Sequence, residues 1–147
     1  MGRKTWNSIP VPFRPLKDRK NVVISRQSLR EAESEGSIHA SSIEDAVGLA
    51  EISSERIFVI GGAQIYEEAL RKEQARRILL TRILTDFECD TFLPITLGED
   101  GKADGWERKS KEELDAWVGE TVAEGVQEEH GAKYVFEMWE RIERNAN

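Results

Sequence analysis

The chain has 147 residues, with 21 basic and 28 acidic side chains, one cysteine and a formal net charge of -7. That length suits one domain with a real core and is short for two, so residues 1–147 are read as a single domain. The acidic balance offers no positive field to nucleic-acid phosphates, no apolar run approaches a bilayer-spanning length, and the lone Cys89 rules out an internal disulfide and fits a reducing compartment. Neither a nucleic acid nor a membrane is expected as a partner, and the cytoplasm is the default location, with the mitochondrion as the second choice.

Gly2 to Ile9 can form a short helix that stops where Pro10 and Pro12 remove backbone donors, and Val11 to Lys17 reads as loop. Asn21 to Ser25 is a β-branched run without polar alternation, the pattern of a strand covered on both faces. Glu31 to Ser37 is a polar excursion before a short strand at Ile38 to Ala40. Ser41 with Glu44 matches a capping box, followed by Ile43, Ala46, Val47 and Ala50 at helical spacing, which predicts a helix to about Ile52. A strand over Arg56 to Ile60, the turn Gly61-Gly62, a helix over Ala63 to Leu70 with Ile65, Ala69 and Leu70 inward, and a strand over Arg77 to Ile83 come next. Two strands around a helix favour parallel pairing and an α/β architecture. Leu97 to Glu124 is acidic and Gly-rich; Trp106 and Trp117 read as anchors there, but no order of elements emerges. Gly125 to Glu129, a turn at His130-Gly131 and Lys133 to Arg141 predict a hairpin with Tyr134, Phe136 and Met138 on one face.

Several motifs carry chemistry, each beside a plainer reading. Gly61-Gly62 at a strand-to-helix turn lets backbone approach a phosphate, yet it is short of a full Gly-x-Gly-x-x-Gly pattern and equally suits a tight connection. Gly2-Arg3-Lys4-Thr5 is either a phosphate cradle or a solvated basic helix start. Ser25-Arg26 lies at the carboxyl end of a strand, where ligands of open α/β sheets bind, and Arg26 there could grip a 2′-phosphate. Arg14 and Arg19 flank a Pro-rich loop and could hold a carboxylate; Trp6, Phe13 and Leu16 could line a planar slot or simply pack. His39 and His130 lack partners at metal-ligand spacing, so no metal is expected, and no nucleophile elbow or activated thiol is evident.

Together, Met1 to Trp6, Ser8-Ile9-Pro10, Phe13-Arg14-Pro15-Leu16, Arg19, Asn21 to Arg26 and Ile60 to Tyr66 resemble the dihydrofolate reductases in order and spacing. The likeness continues through Leu80 to Ile83, Asp90 to Pro94 and Gln127 to Tyr134, and its layout is eukaryotic, fungal-like in type. It implies a three-layer α/β fold with a mixed, mostly parallel central sheet, flanking helices and a C-terminal antiparallel hairpin. It further implies NADPH-dependent reduction of 7,8-dihydrofolate to tetrahydrofolate, a step of one-carbon metabolism. By the same resemblance, Gly2, Arg3, Lys4, Thr5 and Gln27 bind the cofactor, with Ser25 and Arg26 at its 2′-phosphate. Gly61 and Gly62 should be joined by a cis bond, with Ala63, Gln64, Ile65, Tyr66 and Glu67 beside the pyrophosphate. Ile9, Phe13 and Leu16 match positions touching the pterin or benzoyl tail, Arg19 matches the arginine for the glutamate α-carboxylate, and Ile60, Tyr66 and Thr81 surround the pterin and nicotinamide.

In that family a carboxylate on a helix preceding the position of Met1 orients the pterin and assists protonation, so no catalytic acid is assigned within residues 1–147. About a third of the domain, including N-terminal strands, is expected upstream; the chain as given is expected to fold incompletely and to be inactive, and the complete form to be a monomer. The alternatives are a non-catalytic NADP-binding or partner-binding remnant and a pyrimidine reductase of the same fold, the latter disfavoured by Arg19 and the Phe13 to Leu16 segment.

Overall fold

The computed structural model describes residues 1–27, 36–51 and 56–143, which fall in two compact units, Met1–Lys72 and Glu73–Asn147. In the first unit the β-branched run forms β1 (Val22–Ile24), which pairs in parallel with β2 (Ile38–Ala40) in the register Val23↔His39. On the other edge of β1 the chain makes a single parallel bridge, Gly2↔Ile24, with the Ile24 N–H donating to the Met1 carbonyl at 2.8 Å. Val23 is fully buried, as a strand covered on both sides requires. From the bridge the chain enters α1 (Arg3–Ser8), which ends at Ile9 before Pro10, then a 3-10 turn over Val11–Phe13. Trp6 on α1 is 1% exposed and packs with Val23 as the core of this unit.

The helix α2 (Ile43–Glu51) packs on β1 and β2 through buried Ile43 and Ala50. Its cap differs by one residue from the expected Ser41 and Glu44 pair: the Ser42 hydroxyl accepts the Asp45 N–H at 3.1 Å, while the Ser41 hydroxyl bonds the Asp45 carboxylate. Because the helix begins at Ile43, Ser42 is the residue whose oxygen can reach the third amide. The expected end at Ile52 and the excursion from Glu31 lie partly outside the described residues. Residues 56–60, expected as a strand, lie outside both ladders, with Ile57 and Phe58 44% and 53% exposed. An apolar β-branched run prefers a strand, but a strand exists only where a neighbour supplies its backbone hydrogen bonds. The helix α3 (Ala63–Leu70) forms as expected, with Ala69 buried.

The second unit is an antiparallel sheet built on β3 (Arg77–Ile83), β4 (Lys102–Ala103), β5 (Trp106–Arg108), β6 (Gln127–Glu129) and the long β7 (Ala132–Arg141). One edge of β7 pairs with all of β3, from Arg77↔Glu140 to Ile83↔Tyr134; its start pairs with β6 and its end with β5, which pairs with β4. The β6–β7 turn places His130 at φ 49° and Gly131 at φ 78°, the left-handed pair that a two-residue hairpin requires. Tyr134 and Phe136 meet edge to face at 5.4 Å on one side of β7. The stretch without a predicted order contains α4 (Lys111–Val118), started by a reciprocal Ser110–Glu113 capping box and ended at Gly119 with φ 85°. Trp106 is buried at 4% with the Arg141 guanidinium 4.5 Å from its ring centre, and Trp117 lies 5.6 Å from Arg77. Among the described residues no helix is long and apolar enough to cross a membrane.

Candidate functional site

Within the first unit the two glycine motifs meet. The Gly2 N–H donates to the Gly61 carbonyl at 2.8 Å, which sets the start of α1 against the start of α3. Gly61 has φ +91°, a conformation that side chains rarely adopt, and the Gly61–Gly62 peptide is cis, as the resemblance implied. A Cβ on Gly2 would meet Ile65 Cγ1 at 3.3 Å, and one on Gly62 would lie 3.7 Å from Thr5 Oγ1, so Gly2, Thr5, Gly61, Gly62 and Ile65 form one close-packed junction. Both helices have glycine at the N-cap and no side-chain cap, in contrast to α2 and α4, where Ser42 and Ser110 occupy the first-turn amides. The amides of Arg3, Lys4 and Thr5, and of Ala63, Gln64 and Ile65, therefore precede the first intrahelical donors, Trp6 and Tyr66. Such amides favour an anion, and the bare glycine backbone lets it come close.

Beyond the carboxyl end of β1, the Gln27 N–H donates to Ser25 Oγ at 3.2 Å, and Arg3 Nη1 donates to Gln27 Oε1 at 2.8 Å. The first basic motif and the Ser25-Arg26-Gln27 segment are thereby side by side, with Lys4 and Arg26 exposed. Ser25 is held in turn by its N–H to the Ala40 carbonyl at 3.0 Å and by its carbonyl against the His39 ring at 2.7 Å. This arrangement can hold phosphate groups at two places within one unit.

The loop after α1 carries Ile9 and Leu16 half-buried, and Phe13 and Arg19 exposed. Arg14 lies 5.3 Å from the centre of the Trp6 ring and donates to the Trp6 carbonyl at 3.4 Å, and the Arg14–Pro15 peptide is cis. Ile60 immediately precedes the glycine junction and is 37% exposed. Tyr66 packs its ring on Gly61, and burial pushes its phenol above the ordinary value of 10.0.

The profile of the dihydrofolate reductase family matches residues 1–141. This chain belongs to the dihydrofolate reductase family. It is 40% identical to the dihydrofolate reductase of Pneumocystis carinii and 40% identical to that of Candida albicans, in each case over 96% of this chain and 72% of the relative. The dihydrofolate reductase of Sus scrofa is 39% identical over the same shares.

Thr81 belongs to the second unit, on β3 opposite Phe136 of β7. Glu67 is engaged along α3 in an ion pair with Arg71 at 2.5 Å. A residue that the sequence did not single out is Asn21, buried at 3%, whose amide bonds the backbone of Leu16 and Arg19. A polar residue opening an otherwise apolar strand is the signal that marks it; its partners become visible only in the folded loop. Among the described residues no group of three His, Cys, Asp or Glu side chains converges as a metal site would require.

Proposed function

We propose that residues 1–147 form a dihydrofolate reductase domain that binds NADPH and 7,8-dihydrofolate, the cofactor and substrate of the reduction to 5,6,7,8-tetrahydrofolate. The observation that carries this reading is the Gly2–Gly61 hydrogen bond, which joins two uncapped, glycine-led helix starts beside Arg3, Lys4 and Thr5. There the amides of Ala63, Gln64 and Ile65 and the Thr5 hydroxyl hold the pyrophosphate of NADPH. Ser25, Arg26 and Gln27, tied to Arg3, hold the 2′-phosphate; a guanidinium suits that dianion through paired N–H donors. Ile9, Phe13, Leu16, Ile60 and Tyr66 contact the pterin and benzoyl groups, and Arg19 the glutamate α-carboxylate. Glu67 keeps the role implied by the resemblance.

The bound cofactor supplies the hydride that C6 of the pterin accepts, and the chain's own part is alignment of the two ligands. Proton delivery to N5 calls for a carboxylic acid, for which the family resemblance designates no residue among 1–147. The relatives extend beyond the matched region, since the match covers 72% of them. The reading takes the active form to be monomeric and cytoplasmic.

The test is titration of residues 1–147 with NADPH and NADH, followed by an absorbance assay of NADPH oxidation with dihydrofolate. Saturable NADPH binding, weaker NADH binding and folate binding are expected, with turnover absent. Equal affinity for the two cofactors would overturn the assignment of Arg26, and turnover would overturn the reading that no residue among 1–147 supplies the acid.

A further inference from the structure

Asn21 is an amide with 3% exposure at the start of β1, where its own carbonyl accepts the Ile38 N–H at 2.7 Å. A buried amide is costly unless its donors and acceptor find partners. Here Oδ1 accepts the Leu16 N–H at 3.0 Å, and Nδ2 donates to the Leu16 carbonyl at 2.8 Å and to the Arg19 carbonyl at 3.1 Å. The side chain thus engages both backbone groups of Leu16 as a neighbouring strand would and adds a third bond to Arg19. Between those residues the loop is exposed, and Asp18 sits at φ +58°, so the path from 16 to 20 is a tight reversal that Asn21 closes from beneath. Arg19 Nε donates to the Lys17 carbonyl at 2.9 Å, which directs the guanidinium by the same backbone and leaves its two Nη groups as the edge for a carboxylate.

We propose that Asn21 is a positioning residue for the tail of a folate: it fixes the loop so that Arg19 and Leu16 present a preformed grip to the benzoyl-glutamate group. The inference rests on the tail assignment of Leu16 and Arg19 made above. Asn21 itself touches no ligand. Its geometry calls for one acceptor and two donors on a short, planar group. Aspartate keeps the acceptor for the Leu16 N–H but turns a second oxygen toward two carbonyls. Serine is too short to hold all three partners.

The experiment compares equilibrium binding of folate with that of a pterin lacking the benzoyl-glutamate group, read by tryptophan fluorescence in the unsubstituted chain, Asn21→Asp, Asn21→Ser, Arg19→Ala and the Arg19→Ala/Asn21→Asp double variant. Asn21→Asp is expected to weaken folate about tenfold, the scale of a lost hydrogen-bond set, while affinities for the pterin and for NADPH stay within about twofold. The double variant should lose less than the product of the two single losses, because both act through one grip. Should Asn21→Asp fail to fold, Asn21→Ser provides the same comparison with an expected loss of about threefold. Equal losses for folate and pterin, or none, would overturn the positioning role. An unchanged folate affinity in Arg19→Ala would instead overturn the tail assignment, and failure of the unsubstituted chain to bind folate would overturn the proposed function.

Discussion

Gly61 lies directly against the ring of Tyr66: a Cβ on Gly61 would sit 3.0 Å from Cε2 and 3.2 Å from Cζ, at a φ of +91°. Gly61→Ala therefore meets both a steric and a backbone penalty, the latter alone about 1–2 kcal/mol. We expect a lower melting temperature and an NADPH affinity reduced by roughly tenfold or more, since the junction holds the start of α3. Gly48 is the internal control: a Cβ there meets nothing within 4 Å, so Gly48→Ala should stabilise α2 by about 0.5–1 kcal/mol. A thermal melt of the two variants with cofactor titration checks both signs.

Arg26 is exposed beside the Ser25–Gln27 turn that Arg3 braces. Arg26→Ala should weaken NADPH by roughly tenfold or more and leave NADH nearly unaffected, because the two cofactors differ only in the 2′-phosphate. The dependence of NADPH affinity on salt should also fall. Matched weakening of both cofactors in a titration would place Arg26 elsewhere.

Trp6, 1% exposed, is the largest side chain in the core of the first unit and packs with Val23. Trp6→Ala removes that core and leaves a cavity, a loss of about 3–5 kcal/mol. Phe13→Ala, at 68% exposure, should cost little stability while it weakens folate binding. Denaturant curves paired with ligand titrations separate the two roles.

Glu137 lies in the second unit at 7% exposure, where Arg82 donates to it through Nε at 2.8 Å and Nη2 at 3.0 Å and the Trp139 indole donates at 2.8 Å. Burial alone would raise this carboxyl, but the Arg82 and Trp139 hydrogen bonds and the charges of Arg82 and Arg108 outweigh it and hold the group below its ordinary 4.5. A depressed folded-state value means stability that is fully present above the unfolded value and is lost as pH falls through the folded one. Melting temperature should therefore drop as the pH is taken below 4.5. Glu137→Gln should lower stability by about 3 kcal/mol at neutral pH, since it leaves Arg82 without its charge partner, and should flatten the acid dependence. A series of melts from pH 7 to about pH 3 distinguishes these curves.

Local chemistry made much of this molecule readable. The Ile38 to Ala40 strand, the Ala63 to Leu70 helix and the His130-Gly131 hairpin each depend on residues within one turn or one strand of one another. The Ser110–Glu113 box has the same spacing as the pattern sought at Ser41 and Glu44, so α4 was also legible, although Gly-rich and acidic surroundings obscured it. The choice of Ser42 over Ser41 was not, because it turns on where the first helical residue settles.

The sequence by itself determined the family and the α/β class, because those rest on ordered motifs and short-range periodicity, and it named the cofactor and folate residues as candidates. Tertiary structure alone decided that residues 56–60 lie outside the ladders, that Asn21 closes the loop from Leu16 to Arg19, and that Glu137 meets Arg82 across 55 residues of chain. Each of these depends on which hydrogen-bonding partner arrives from elsewhere in the fold, and a backbone or buried polar group carries no local record of that partner.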